Sequence, residues 1–259
     1  VRQTPIWKSL KGDHGSSLQI RSDGQTVTVT GNPSRFNRSE NLFGQNLDIV
    51  KCQVNKILES EGLPPFTGGK VQQLQDGSQT YSGATFQRID MTGNFNTGSE
   101  SNVRAYLNHQ KAQTFPKLEQ TIKGGTTIYY GKDSDSRTLV IYPKGQHLEK
   151  CVLKQSDQKP YIRRLINYCN VNGIIRFESR YQRYLRTSNM RFWHNATHAK
   201  LSKQTKKELS IMTQEIESPD YDGIPTKVLG TLTMYMAGID VKKRLSENTY
   251  YAHRKVLKK

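Results

Sequence analysis

The sequence predicts an α+β protein: a mostly antiparallel sheet with helices on one face, followed by a small, helix-turn-helix-like helical module. Three observations predict it. Short β-rich runs with two-residue alternation, separated by turn residues, recur through the first part of the chain. Apolar residues at helical spacing fall between some of these runs. After about Tyr184 the composition changes and a basic helical pattern takes over.

The elements follow in order. Residues 17–22 and 25–30 flank Asp23-Gly24, a hairpin signal, and Gly31-Asn32-Pro33 breaks the pattern. Leu47, Val50, Val54, Ile57 and Leu58 keep helical spacing and predict a helix over 47–58; Pro64-Pro65 and Gly68-Gly69 mark a loop after it. A strand is expected over 84–93, then a helix over 99–113 with Ser99 as its N-cap. Two strands bracket the turn at 132–136, a basic helix covers 160–170 until Gly173 stops it, and a strand spans 174–181. Helices are expected over 199–216, 226–236, 240–245 and 247–258, the last capped by Ser246, with a linker around 218–225. The division is therefore a sheet domain, 1–195, and a basic helical module, 196–259.

Composition narrows the partner. The 259 residues carry 39 Lys+Arg against 22 Asp+Glu, a net charge of +17, and 34% hydrophobic content suits a globular protein with a modest core. Such a charge points to an acidic polymer. No apolar run approaches the roughly 18 residues of a membrane span, and no amphipathic anchor or signal peptide is present, so no membrane partner is expected. Cys52, Cys151 and Cys169 are too few and too widely spaced for a disulfide framework or zinc ribbon, which fits a reducing cytoplasm. In that compartment the sequon Asn195-Ala196-Thr197 has no meaning. The first residue is Val1, not Met, and part of a natural N-terminus is expected to be missing.

One stretch carries candidate chemistry. Tyr129-Tyr130-Gly131 leads through a polar turn to Arg137-Thr138-Leu139-Val140-Ile141-Tyr142-Pro143-Lys144, while Arg88-Ile89-Asp90 and Arg176-Phe177-Glu178-Ser179-Arg180 supply acids and arginines. Side chains two apart on a strand share a face. Arg88 with Asp90, Arg176 with Glu178 and Arg180, and Tyr142 with Val140 and Thr138 thus lie opposite apolar residues, and adjacent strands would gather them on one surface. Two carboxylates suit Mg²⁺ or Mn²⁺. A tyrosine hydroxyl is a covalent nucleophile, its reference pKa of about 10 needs a nearby cation or base, and Lys144 shares its face if the strand runs past Pro143. Arginines grip phosphates. Taken singly, an Arg-x-Asp pair is commonly a surface ion pair and a strand-end tyrosine a packing residue; together they describe DNA strand breakage with the end held covalently.

At these residues the chain resembles the gene II replication initiators of filamentous phages. The resemblance rests on Ser34-Arg35-Phe36 through Asn41-Leu42-Phe43-Gly44, Arg88-Ile89-Asp90, the run from Arg137 to Tyr142 and Lys144, and Ile175-Arg176-Phe177-Glu178-Ser179-Arg180, in that order. The stretch from Tyr129 to Lys144 is also similar to the active-site stretch of staphylococcal rolling-circle plasmid initiators, whose nicking tyrosine matches Tyr142. The resemblance implies an initiator that nicks one strand at a double-strand origin, leaves a 3′-hydroxyl for rolling-circle synthesis and rejoins the displaced strand. It also implies Asp90 and Glu178 as metal-binding acids, origin duplex and single-stranded DNA as partners alongside host helicase and polymerase, and a bacterial host cytoplasm. Many rolling-circle initiators hold metal through a His-hydrophobe-His motif; this chain has no His-x-His, so carboxylates, with at most a lone histidine, must carry the ion.

Rival readings accompany these. Tyr129 and Tyr130 compete with Tyr142, and Tyr130 is the candidate for base stacking or a second transesterification. Glu149 is a third acid or a solvated helix residue. His194 and His198 have helical spacing, but packing or DNA contact suits them better than zinc. Arg88, Arg137, Arg176 and Arg180 are expected on DNA, as are Asn248, Tyr250 and Arg254 of a C-terminal unit with Val241, Leu245, Ala252 and Val256 as its core. A non-catalytic DNA-binding protein and a nuclease using water are the alternative functions.

Overall fold

Alternation in residues 174–181 buries Ile175 and Phe177 on one side and sets Arg176, Glu178 and Arg180 on the other, and this strand is the centre of the fold. The computed structural model describes residues 6–115, 117–212 and 240–257, together with 225, 227, 228, 230, 231 and 234. A five-stranded antiparallel sheet has the order β6 (Ile89–Asn96), β10 (Ile174–Tyr181), β9 (Arg137–Pro143), β8 (Thr127–Tyr130), β7 (Gln120–Lys123). A smaller sheet joins β1 (Lys8–Lys11), β2 (Ser17–Ser22) and β3 (Val27–Gly31), and β4 (Val71–Gln73) pairs with β5 (Gln79–Tyr81) as an exposed ribbon. The α+β class with antiparallel sheets is as the sequence predicts; the β4–β5 ribbon falls where only a loop is predicted.

One face of the large sheet is hydrocarbon. Val103 and Leu107 of helix α2 (Glu100–Ala112) pack on Ile128, Tyr130, Leu139, Ile141, Ile175 and Phe177. Leu201 of helix α6 (His198–Met212) packs with Ile89 and Tyr181, and Leu47 of helix α1 (Leu47–Ser60) joins the same cluster. The Ser99 cap forms as expected, its hydroxyl accepting the Asn102 amide at 3.2 Å. Helix α6, which begins just past the 196 boundary, packs directly on the sheet.

At the other end of β9 the chain turns away. Pro143 ends the strand and caps a one-turn helix α3 (Lys144–His147), followed by a π-turn at Leu148–Val152. Leu148 and Val152 pack on Ile162, Leu165 and Cys169 of helix α4 (Lys159–Val171), and Leu42 from the N-terminal part plugs the same cluster. Gly145 lets α3 lie close to α4: a Cβ on it would stand 1.9 Å from Asn170 Oδ1, so a larger residue would have to displace the Asn170 side chain.

The C-terminal residues described form a single turn, Val241–Arg244, and a helix, Glu247–Leu257, with the Ser246 hydroxyl accepting the Thr249 amide as a cap at 3.4 Å. Val241 is buried and Leu245 half-buried, but Ala252 and Val256 are exposed, which corrects the expected core of this unit. The expected helix over 226–236 and the end of the one over 199–216 lie largely outside the described residues.

Candidate active site

The register fixes which functional side chains share a surface. Across β10 and β9, Arg176 faces Tyr142, Glu178 faces Val140 and Arg180 faces Thr138. Across β10 and β6, Glu178 faces Thr92 and Arg180 faces Asp90. Directly paired residues point the same way, so Asp90, Arg176, Glu178, Arg180 and Tyr142 occupy the face opposite α2 and α6, as the strand periodicity predicts.

Tyr142 and Glu178 meet. The phenol donates to Glu178 Oε1 at 2.6 Å, and Arg180 Nη2 donates to Glu178 Oε2 at 3.0 Å. Arg176 Nε lies 3.4 Å from Glu178 Oε1 without hydrogen-bond alignment, and the buried Nε atoms of Arg176 and Arg180 have no hydrogen-bond partner. Burial and the Glu178 charge push the Tyr142 pKa well above its ordinary value, so the phenol is protonated at rest. Burial alone would raise Glu178, but the Tyr142 and Arg180 hydrogen bonds and the two guanidinium charges outweigh it and hold its pKa down.

Lys144 reaches this site by a different route from the one expected. The strand stops at Pro143, and Lys144 sits at the start of α3, fully buried, with Nζ donating to Asn41 Oδ1 at 2.7 Å. Burial and the neighbouring Arg176 lower its pKa to about 7. His147, three residues on, packs its ring 5.0 Å from that of Tyr142. Burial and the Lys144 charge lower its pKa to about 4, and its buried Nδ1 has no partner. Sequence reasoning missed His147 because it carried the strand on past Pro143 to Lys144; its i+3 spacing from Lys144 is the signal that a helix start would have supplied.

Several expectations are corrected. Tyr130, expected to be catalytic, lies on the hydrocarbon face with 1% exposure, and its hydroxyl donates to the Gln110 carbonyl at 2.9 Å. Tyr129, which pairs with Val140, is the tyrosine that shares Tyr142's face. Arg137 pairs with Tyr181 on the covered side and bonds Glu208 of α6 at 3.0 Å, a core ion pair rather than a DNA contact. His194 lies outside any helix, its Nδ1 within 3.1 Å of the Tyr81 hydroxyl, while His198 Nδ1 accepts the Leu47 amide at 3.5 Å; the two form no ligand pair. Arg88, Asn248 and Arg254 are exposed and Tyr250 half-buried.

The two acids are neighbours in register but engaged elsewhere. Asp90 and Glu178 are diagonal across β6 and β10, a spacing of roughly 7–8 Å with the Cβ atoms somewhat closer. Both Asp90 oxygens accept from Arg88, each at 2.7 Å. No cluster of three His, Cys, Asp or Glu residues fit for a metal occurs among the described residues. Hard oxygen donors from two adjacent strands nevertheless suit Mg²⁺, which keeps several waters and needs only one or two carboxylates plus phosphate oxygens. All four carboxylate oxygens are engaged, so such an ion would need Asp90 to release Arg88 and Glu178 to release Tyr142 or Arg180.

Comparison with known proteins finds relatives among phage replication-associated proteins. The profile of a phage family, described as the N-terminal part of the gene II replication-associated protein, matches residues 3–199. The chain is 26% identical over 230 residues to the replication-associated protein of this description from Escherichia phage If1, covering 78% of this chain and 70% of that protein. To the protein of the same description from Enterobacteria phage I2-2 it is 24% identical over 277 residues, covering 97% of this chain and 77% of that protein. No solved structure matches the chain. Among the described residues no helix is long and apolar enough to cross a membrane.

Proposed function

Because the chain belongs to the family of phage gene II replication-associated proteins, we propose that it initiates replication by nicking one strand of an origin through a Tyr142–phosphate intermediate and later rejoining that strand. The observation that carries this reading is the 2.6 Å hydrogen bond from Tyr142 to Glu178, set between two arginines whose buried Nε atoms have no partner. A cationic, partly unsatisfied surface around a nucleophile calls for an anion, and a phosphodiester supplies it.

The scissile phosphate enters from the Arg180 side, where the arginine side chain is 31% exposed. Arg176 and Arg180 take its non-bridging oxygens. The phenolic oxygen attacks phosphorus in line, its proton passes to Glu178, and the bond from phosphorus to O3′ breaks. Lys144, whose pKa of about 7 keeps it partly protonated near neutrality, gives the departing O3′ its proton. Asp90 and Glu178 would hold Mg²⁺ or Mn²⁺, which when bound withdraws charge from the phosphate oxygens. Rejoining reverses these transfers: a 3′-hydroxyl attacks the phosphotyrosine and the phenol regains its proton. The partners of this reading are origin duplex and single-stranded DNA, with Asn248, Tyr250 and Arg254 as further contacts; host helicase and polymerase would follow the nick.

Incubation with supercoiled origin DNA and Mg²⁺, followed by denaturing electrophoresis, tests it. A protein-linked strand is expected from the wild type and none from Tyr142→Phe, with DNA binding retained. Nicking without a linked strand identifies a water-using nuclease, and binding without nicking identifies a non-catalytic DNA-binding protein; either result sinks the proposal.

A further inference from the structure

Segment 40–44 crosses the candidate site, and its contacts are polar and specific. Asn41 accepts at two atoms: its side-chain Oδ1 takes Lys144 Nζ at 2.7 Å, and its backbone carbonyl takes Arg176 Nη1, also at 2.7 Å. The segment is fastened on both sides of that residue. Leu42 is 2% exposed in the α3–α4 cluster, and its carbonyl accepts from Asn94 Nδ2 at 2.6 Å. Glu40, itself buried, accepts the Leu42 amide and pairs with Arg38 at 3.2 Å. Asn41 is thus held by its neighbours and in turn holds two cations from two different elements.

We propose that Asn41 is a positioning residue for strand cleavage: it fixes the Lys144 ammonium and the Arg176 guanidinium in place beside Tyr142. The proposal rests on the reading that both cations act on the scissile phosphate. Its physical sense lies in the choice of a neutral acceptor. An amide oxygen orients a buried ammonium without cancelling its charge, so the pull of that charge and its proton stay available to the substrate. A carboxylate at the same position would form an ion pair and take that charge for itself. A long lysine with no acceptor would sample several rotamers, and misplaced groups cost rate steeply.

The test is a double-mutant cycle on single-turnover cleavage of an origin oligonucleotide, with thermal unfolding and oligonucleotide Kd measured alongside. Asn41→Leu, with the same number of side-chain heavy atoms and the same branching but no acceptor, is expected to slow cleavage on the order of 10-fold or more while changing Kd less than about 3-fold. Added to Lys144→Met it should cost almost nothing further, because the group it positions is gone. Asn41→Asp keeps an acceptor and the side-chain shape; it should fold normally and still cleave slowly, which covers the case where the leucine variant does not fold. The ¹H–¹⁵N signal of the Lys144 ammonium, visible when the group is held, should persist in Asn41→Asp and vanish in Asn41→Leu. Additive losses at 41 and 144, or wild-type cleavage in both Asn41 variants, overturn the positioning role. Unchanged cleavage in Lys144→Met would instead overturn the part assigned to the lysine under the proposed function, so the two failures are distinguishable.

Discussion

The two faces of the large sheet treat the same residue types in opposite ways. On the face under α2 and α6, Tyr130 is sealed at 1% exposure with its hydroxyl satisfied by Gln110, and Arg137 is neutralised by Glu208. On the other face Tyr142 points its hydroxyl at a carboxylate flanked by Arg176 and Arg180, whose buried Nε atoms lack partners. Burial alone does not separate them, since Tyr142 is only 7% exposed. The difference is satisfaction. Tyr130 and Arg137 end in closed hydrogen-bond sets, whereas the candidate site keeps donors and charge in excess, which is costly unless a ligand completes it.

The sharpest way to break this comparison is to treat the two tyrosines alike. Tyr142→Phe is expected to abolish the protein-linked strand, a loss of at least about 1,000-fold for a missing covalent nucleophile. Tyr130→Phe should keep the linked strand and lower stability by about 1 kcal/mol, the usual value of one buried hydrogen bond. Denaturing electrophoresis reads the first and urea unfolding the second. A loss of the adduct in Tyr130→Phe would mean that the sheet faces are not divided as described.

The arginines sharpen it further. Arg137→Met leaves Glu208 charged at 1% exposure, although Ser179, Tyr181 and Gln204 still donate to it. Breaking a buried pair costs about 3 kcal/mol, and DNA binding should not change. Arg180→Met removes one partly exposed hydrogen bond to Glu178, so it should cost less stability, about 1 kcal/mol, and slow cleavage about 100-fold or more, as for removal of one group that stabilises transition-state charge. Unfolding midpoints and cleavage rates that fail to separate in this way would remove the distinction between structural and functional arginines.

Strand periodicity makes much of this legible in advance. Two-residue alternation in 174–181 and 137–142 puts Glu178 and Tyr142 on the side of each strand away from Ile175, Phe177, Leu139 and Ile141, and the pairing of β9 with β10 brings them onto one face. It cannot say which of two adjacent tyrosines lies on which face when the strand's register is open, so it points to Tyr130 where Tyr129 belongs. Nor does alternation distinguish Arg137 from Arg176: the partner that neutralises Arg137 sits 71 residues away on α6. Lys144, His147 and Asn41 meet only because Pro143 ends the strand and Gly145 lets α3 settle on α4, a tertiary packing event with no local pattern.

A pH-dependent effect concerns the buried lysine. Its folded pKa of about 7 lies below the ordinary lysine value of 10.5, first through burial and then through Arg176. Between those two values the unfolded chain binds a proton that the folded chain does not, so protonation favours unfolding and stability rises with pH across that window. Below about 7 both states are protonated and this contribution to the slope disappears. Lys144→Met removes the group altogether, so its unfolding free energy should rise less between pH 7 and pH 9 than that of the wild type. Urea unfolding at the two pH values measures the difference, and parallel slopes for the two proteins would mean that Lys144 keeps an ordinary pKa. In that case the Asn41 amide holds a fully charged ammonium at neutral pH, and the lysine serves the phosphate through its charge rather than as a proton donor.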